Sequence, residues 1–251
     1  MTPRTEFEFD TPDIDTGQTL LVGLASPGMG GLTTVNHLVT NCESEEIGYI
    51  SPTELPGITP FENGTPRHHT RLYNLVESDI TVLTGELFVP VWAARPFVQA
   101  LLDWCRETEI AEIAFFHTIA YPHGPDDHRV FHVATDEFRD RRISGQSMPM
   151  KGGVLDGVPG ELVSHSLSGE GPPVGVFLTP AHPPGPDIDG ALQFLDVIEE
   201  IYDVTVNREE LEELSREIKQ YYETLDERIA TLNATEEARD DRDFYADRGY
   251  M

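Results

Sequence analysis

"QTLLVGLASPGMGGLTTVNHLV", Gln18 to Val39, is the stretch on which the fold turns. Its first part, Gln18–Ser26, is a continuous apolar run of strand character. "PGMGG" marks a turn, and beyond it Leu32, Val35, Leu38 and Val39 recur at helical spacing. "EIGYIS", Glu46–Ser51, reads as the next strand and completes a β-α-β pattern.

A glycine turn between strand and helix can hold a phosphate, because the first N–H groups of the helix point into it. Two patterns test this. G-x-G-x-x-G begins at Gly28 and Gly30 but meets Thr33 where its third glycine belongs. G-x-x-x-x-G-K-[ST] fits Gly23 and Gly28, then meets Met29 in place of lysine. Both fail. The turn through Gly28, Gly30 and Gly31 therefore reads as a place where strand and helix backbones approach closely, and no cofactor is expected.

The same grammar continues outward. "PTELPGITPFENGTPRHH" reads as loop. "RLYNLVES" and "DITVLTGEL" are adjacent strands or a hairpin, followed by a helix from about Trp92 with Val98, Leu101, Leu102 and Cys105 on its apolar face. "IAEIAFFHTIAY" is a buried strand, "RVFHVATDEFRD" a short strand and helix, and a loop then opens a helix near Val158. "PVGVFLTPA" and "DIDGALQFLDVIEEIYDV" add a strand and a helix. Strands alternating with helices over residues 18–204 predict an α/β sandwich with a mixed, largely parallel sheet.

From Asn207 the pattern changes. Leu211, Leu214, Ile218, Tyr221, Leu225 and Leu232 alternate three- and four-residue steps, with one position taken by Arg228, in a segment without Gly or Pro. This narrow stripe is of the coiled-coil type, and fits either a helix lying on its own domain or one that pairs with another copy. The expected organisation is an α/β domain over 1–204, a long helix over 205–233 and an acidic tail over 234–251.

The chain has 251 residues and a formal charge of −28, from 45 acidic against 17 basic residues. The only lysines are Lys151 and Lys219. Such a surface repels phosphate backbones, so neither nucleic acid nor an anionic membrane is an expected partner. A salt-rich cytoplasm accounts for the acidity, since self-repulsion is screened within about 3 Å at 1 M salt. No apolar run of about 18 residues offers a membrane span. "MTPRTEFEFD" lacks a signal-peptide core, and a cytoplasmic protein is expected. Cys42 and Cys105 sit in no C-x-x-C pair and are expected to be reduced.

Candidate chemistry is sparse. "HTIAYPHGPDDH" gathers His117, His123, Asp126, Asp127 and His128 at spacings that match no zinc pattern, so no metal is expected. His68 and His69 are adjacent, which suits opposite faces. Ser26 lacks the G-x-S-x-G elbow, and Ser147 and Ser166 have no special setting. Asp156 reads as a helix N-cap or turn residue. No catalytic residues are expected. The alternatives are an enzyme acting on a nucleoside or glycosyl compound, if the loops near Gly28, His68-His69 and His123 converge, and an oligomeric scaffold.

Two stretches together resemble a known family. "LLVGLASPGMGGLTTVNHLV" and "GQSMPMKGGVLDGVPGELVSHSL", the latter carrying Asp156, Gly157 and Gly160, are similar in order and separation to the proteasome assembly chaperones, in particular archaeal ones. The resemblance covers residues 18–204. It implies a three-layer α/β domain shaped like the nucleoside phosphorylase fold, no established catalytic residues and assembly as a homo-oligomer. In some members a C-terminal hydrophobic–Tyr–any motif enters pockets between proteasome α subunits. Here the chain ends Gly249-Tyr250-Met251, with glycine in the hydrophobic position, so Tyr250 and Met251 are the implied docking residues.

Overall fold

Thr19–Leu24 is buried at all six positions, which is the signature of a central strand covered on both faces. The structure is a computed structural model that describes residues 5–12, 16–120, 124, 128–145, 147–181, 186–221 and 224–225. Along the chain run β1 (Phe7–Asp10), β2 (Thr19–Leu24), α1 (Gly30–Asn41), β3 (Ser44–Pro52), β4 (Phe61–Glu62), β5 (Thr65–Pro66), β6 (Thr70–Leu75), β7 (Ile80–Gly85) and α2 (Val91–Glu107). There follow β8 (Glu112–Ile119), β9 (Phe131–Ala134), α3 (Asp136–Arg142), β10 (Met148–Pro149), α4 (Gly157–Leu167), β11 (Val174–Pro180) and α5 (Ile188–Tyr202). The chain divides into two compact units, Met1–Asn207 and Arg208–Met251.

Within the first unit, nine strands form one sheet in the order β1-β3-β6-β7-β2-β8-β11-β9-β10. Its centre, β7-β2-β8-β11, is parallel, with Val22 opposite both Leu83 and Phe115. The flanks are antiparallel at β7-β6, β6-β3, β3-β1 and β11-β9. The expected mixed, largely parallel α/β sandwich is the fold observed.

Alternation along the strands sorts side chains into two cores. Leu20, Val22, Phe115 and Val176 pack with Phe97 and Leu101 of α2 and Leu162 of α4. On the other face Phe116 stacks on Phe177 at 5.3 Å and meets Phe194 of α5 edge-on at 5.4 Å, while Phe138 of α3 abuts Phe177. All four rings are fully buried, each worth about 1.5–3 kcal/mol in apolar burial alone. At the opposite end of β8 from its carboxyl terminus, the buried Glu112 lies 2.7 Å from Arg142 Nε and 3.5 Å from an Arg141 nitrogen. The Arg142 contact is ionic, with Nε off-line for a hydrogen bond.

Two elements depart from the sequence reading. Phe7 and Phe9 of β1 add an edge strand antiparallel to β3, Phe7 meeting Phe97 edge-on at 5.1 Å and Phe9 stacking on Trp104 at 5.4 Å. The segment read as one loop contains the β4-β5 hairpin, turned by Asn63 and Gly64, both at positive φ. In the second unit, residues 209–221 and 224–225 are helical. Leu211 and Ser215 are buried and Ile218 is half-buried, whereas Leu214, Tyr221 and Leu225 are 39%, 66% and 38% exposed.

Candidate functional site

The first glycine turn follows β2 and is filled by the protein itself. A Cβ at Gly31 would overlap the Phe116 carbonyl, and one at Gly23 the Gly31 carbonyl, so strand and helix meet backbone to backbone. Gly28 rests against Ala181 and Asp187, and its carbonyl accepts from the Asp187 N–H at 2.7 Å. Gly30 faces Thr118, whose hydroxyl donates to the Pro27 carbonyl and lies 2.9 Å from Ser26 Oγ. This is the tight turn that the failed phosphate patterns leave as the reading.

The second motif opens α4. Asp156 occupies the N-cap position with extended backbone, but its side chain makes no capping hydrogen bond. Gly157 has φ +62, a conformation that a side chain would strain. A Cβ at Gly160 would overlap the Leu155 carbonyl, which locks the first turn of α4 onto the segment before it.

The two motifs meet around a cavity of about 290 Å³ at the carboxyl ends of β2 and β8. Leu24 and Pro27 line it from the first motif, Asp156 and Val158 from the second, and Phe115 and Ile119 from β8. Phe88 and Val91, before and at the start of α2, reach it while remaining 61% and 62% exposed. Among the described residues the histidine in its lining is His117, opposite Leu178 in the sheet register and with its ring centroid 5.9 Å from that of Phe115. Nδ1 of His117 is buried and has no hydrogen-bond partner. Burial pushes His117 down to about 4, against the pull of the Asp156 charge. Its imidazole is therefore neutral near pH 7, while Asp156 stands exposed at the rim. Among the described residues the lining contains no lysine or arginine. A second groove of about 440 Å³ runs beside α4, shares Ile119 with the first and includes Val154 and Leu167.

Other titratable groups are held in structural bonds. His128 Nε2 lies 3.5 Å from Asp187, and Gln193 donates to the His128 carbonyl at 2.9 Å; the Asp187 hydrogen bond raises the His128 pKa. His68 stacks face to face on Tyr49 at 3.5 Å, and His69 bonds Thr70 at 2.8 Å. Neither of the pair lines the His117 cavity. Ser147 bonds His132 at 2.8 Å, and Ser166 donates to the Pro172 carbonyl at 2.8 Å. Cys42 and Cys105 are both free thiols, and burial raises the pKa of each. Among the described residues no three His, Cys, Asp or Glu side chains are grouped to hold a metal, and no helix is long and apolar enough to cross a membrane. His123, Asp126, Asp127, Leu232, Tyr250 and Met251 lie outside the described residues.

Sequence reasoning assigned the motif turns but missed His117 as a cavity residue. Its only local signal was a polar residue on the apolar face of a buried strand.

A model of the PAC2 family matches residues 20–226. Among solved structures, Pyrococcus furiosus PbaA, described as an archaeal homologue of proteasome-assembly chaperone, superposes with a TM-score of 0.78 at 18% identity, covering 98% of this chain and 100% of that one. Pyrococcus furiosus PbaB, described as an archaeal proteasome activator, gives 0.72 at 16% identity, covering 88% and 98%. A PAC2 family protein from Streptomyces avermitilis gives 0.61 at 17% identity, covering 82% and 95%. No curated protein matches the sequence significantly.

Proposed function

Since the chain belongs to the PAC2 family, we propose that it is a non-enzymatic, proteasome-assembly-chaperone-like protein that forms a homo-oligomer in the cytoplasm and binds proteasome α subunits through Tyr250 and Met251. The observation that carries this reading is the family match over residues 20–226, which joins this chain to a fold shared with PbaA and PbaB. In this reading residues 1–204 are the body, 205–233 an oligomerising helix and 234–251 the tail that presents the anchor. The exposed row of Leu214, Tyr221 and Leu225, at steps of seven and four, supports a helix that meets a partner.

The anchor works by ordinary chemistry. The Tyr250 ring supplies most of the buried area and its hydroxyl takes a hydrogen-bond partner. The terminal carboxylate pairs with a cationic side chain in a charge-assisted bond. A single tail binds weakly after its ordering cost, and several tails on one oligomer gain from effective concentration against a ring of sites. Glycine at 249 gives up the apolar contact of the motif, so avidity carries more of the affinity.

The test is recovery of proteasome core particle on the full-length protein and on a chain lacking residues 249–251. Deletion is expected to abolish recovery, and Tyr250→Ala to cost about 2 kcal/mol per tail. Equal recovery by both chains would rule out tail docking.

A further inference from the structure

The lining of the cavity between β2, β8 and α4 is chemically specific. Most of it is apolar, from Leu24, Phe115, Ile119 and Val158 among others, and it is wide enough for a ligand of about ten heavy atoms at about 290 Å³. Among the described residues its ionisable groups are His117 and Asp156, which come from different motifs and stand at different depths, a mostly buried imidazole on β8 and an exposed carboxylate at the rim.

We propose that this cavity binds a small molecule made of an aromatic or branched apolar body and an ammonium group, the body lying against Phe115, Ile119 and Val158 and the ammonium paired with Asp156. The apolar walls account for the body. The Asp156 carboxylate makes no capping bond to its own helix, which leaves its oxygens available to a donor. That carboxylate more than offsets the partial positive charge of the α4 N-terminus, so the rim is electronegative. With no lysine or arginine among the described residues of the lining and a net charge of −28 on the chain, an anion finds no counter-charge among them. A hydrocarbon, in turn, would cover a polar imidazole that already has one nitrogen without a partner. The neutral His117 ring offers an ammonium-bearing ligand a polar wall that does not repel it. The described lining lies in the first unit, and tail docking is read by a separate experiment.

The experiment follows methyl NMR signals of Leu24, Ile119 and Val158 in the full-length protein during titration with phenethylamine, its N-acetyl amide and hydrocinnamate. Phenethylamine is expected to shift these signals saturably. The amide and the carboxylate should bind about tenfold more weakly, the size of a charge-assisted hydrogen bond. Asp156→Asn, an exposed substitution that leaves the core intact, should reduce phenethylamine to the level of the amide. His117→Leu should weaken amine and amide alike. The absence of any saturable shift, hydrocinnamate binding as tightly as the amine, or full affinity in Asp156→Asn would each overturn the proposal, whatever the outcome with the proteasome.

Discussion

His117 shows how one residue's setting becomes a property of the protein. A neutral imidazole inside an apolar wall costs little near neutrality, and protonating it there is expensive. The sign follows from linkage. The folded-state value of about 4 lies below the ordinary 6.5, so on acidification the unfolded chain takes up this proton first. The contribution of His117 to stability is fully present above about pH 6.5 and is lost as the pH falls toward about 4. Between those limits wild type should lose on the order of 2 kcal/mol more stability than His117→Leu, measured by urea denaturation at constant salt. Parallel pH profiles would contradict this. His128 has the opposite sign, since Asp187 raises its pKa, and its contribution declines as the pH rises through the folded-state value.

At the scale of elements, the junction of β2, α1 and β8 leaves no room for a side chain at Gly23 or Gly31. Gly31→Ala would drive a methyl into the Phe116 carbonyl, and neither backbone can yield without shifting α1 off the sheet. A loss of about 3 kcal/mol is expected. At Gly152, where an added Cβ meets nothing within 4 Å, the same change should stay within about 0.5 kcal/mol. Denaturant midpoints of the two variants decide the matter. This junction was legible in the sequence because its cause is local, an apolar run, a glycine turn and a helical period in succession. β1 was not, since Phe7 and Phe9 give only one period of alternation and their strand exists because Phe97 and Trp104 receive them. The β4-β5 hairpin did carry a signal, the Asn63-Gly64 pair, hidden among the prolines and glycines around it. The cavity was illegible for a different reason. His117 and Asp156 are far apart along the chain, and only the packing of α4 on α2 and on β11, the neighbour of β8, brings both to one cavity.

For the whole molecule, the helical stripe and the body make separable predictions. If Leu214, Tyr221 and Leu225 meet a partner copy, a chain ending at Val204 should be a smaller species in solution than the full-length protein, as read by light scattering at constant salt. An unchanged mass would place the assembly contacts in the α/β body instead. Cutting after Asn207 rather than Val204 keeps the buried Val206 and the Asn207 carbonyl that lies 2.6 Å from His37 Nε2, both part of the first unit.

The pairing of Thr19 with Glu112 also bears on how the protein is made. Their side chains meet 93 positions apart, and β2 lies between β7 and β8. During translation at about 5–20 residues per second, this greasy strand waits roughly 5 to 20 seconds for its second neighbour to be synthesised. Through that interval one edge of a nascent parallel sheet stands open on the ribosome. Any factor that shields emerging apolar chains would therefore act on this protein in the window between the synthesis of β2 and that of β8.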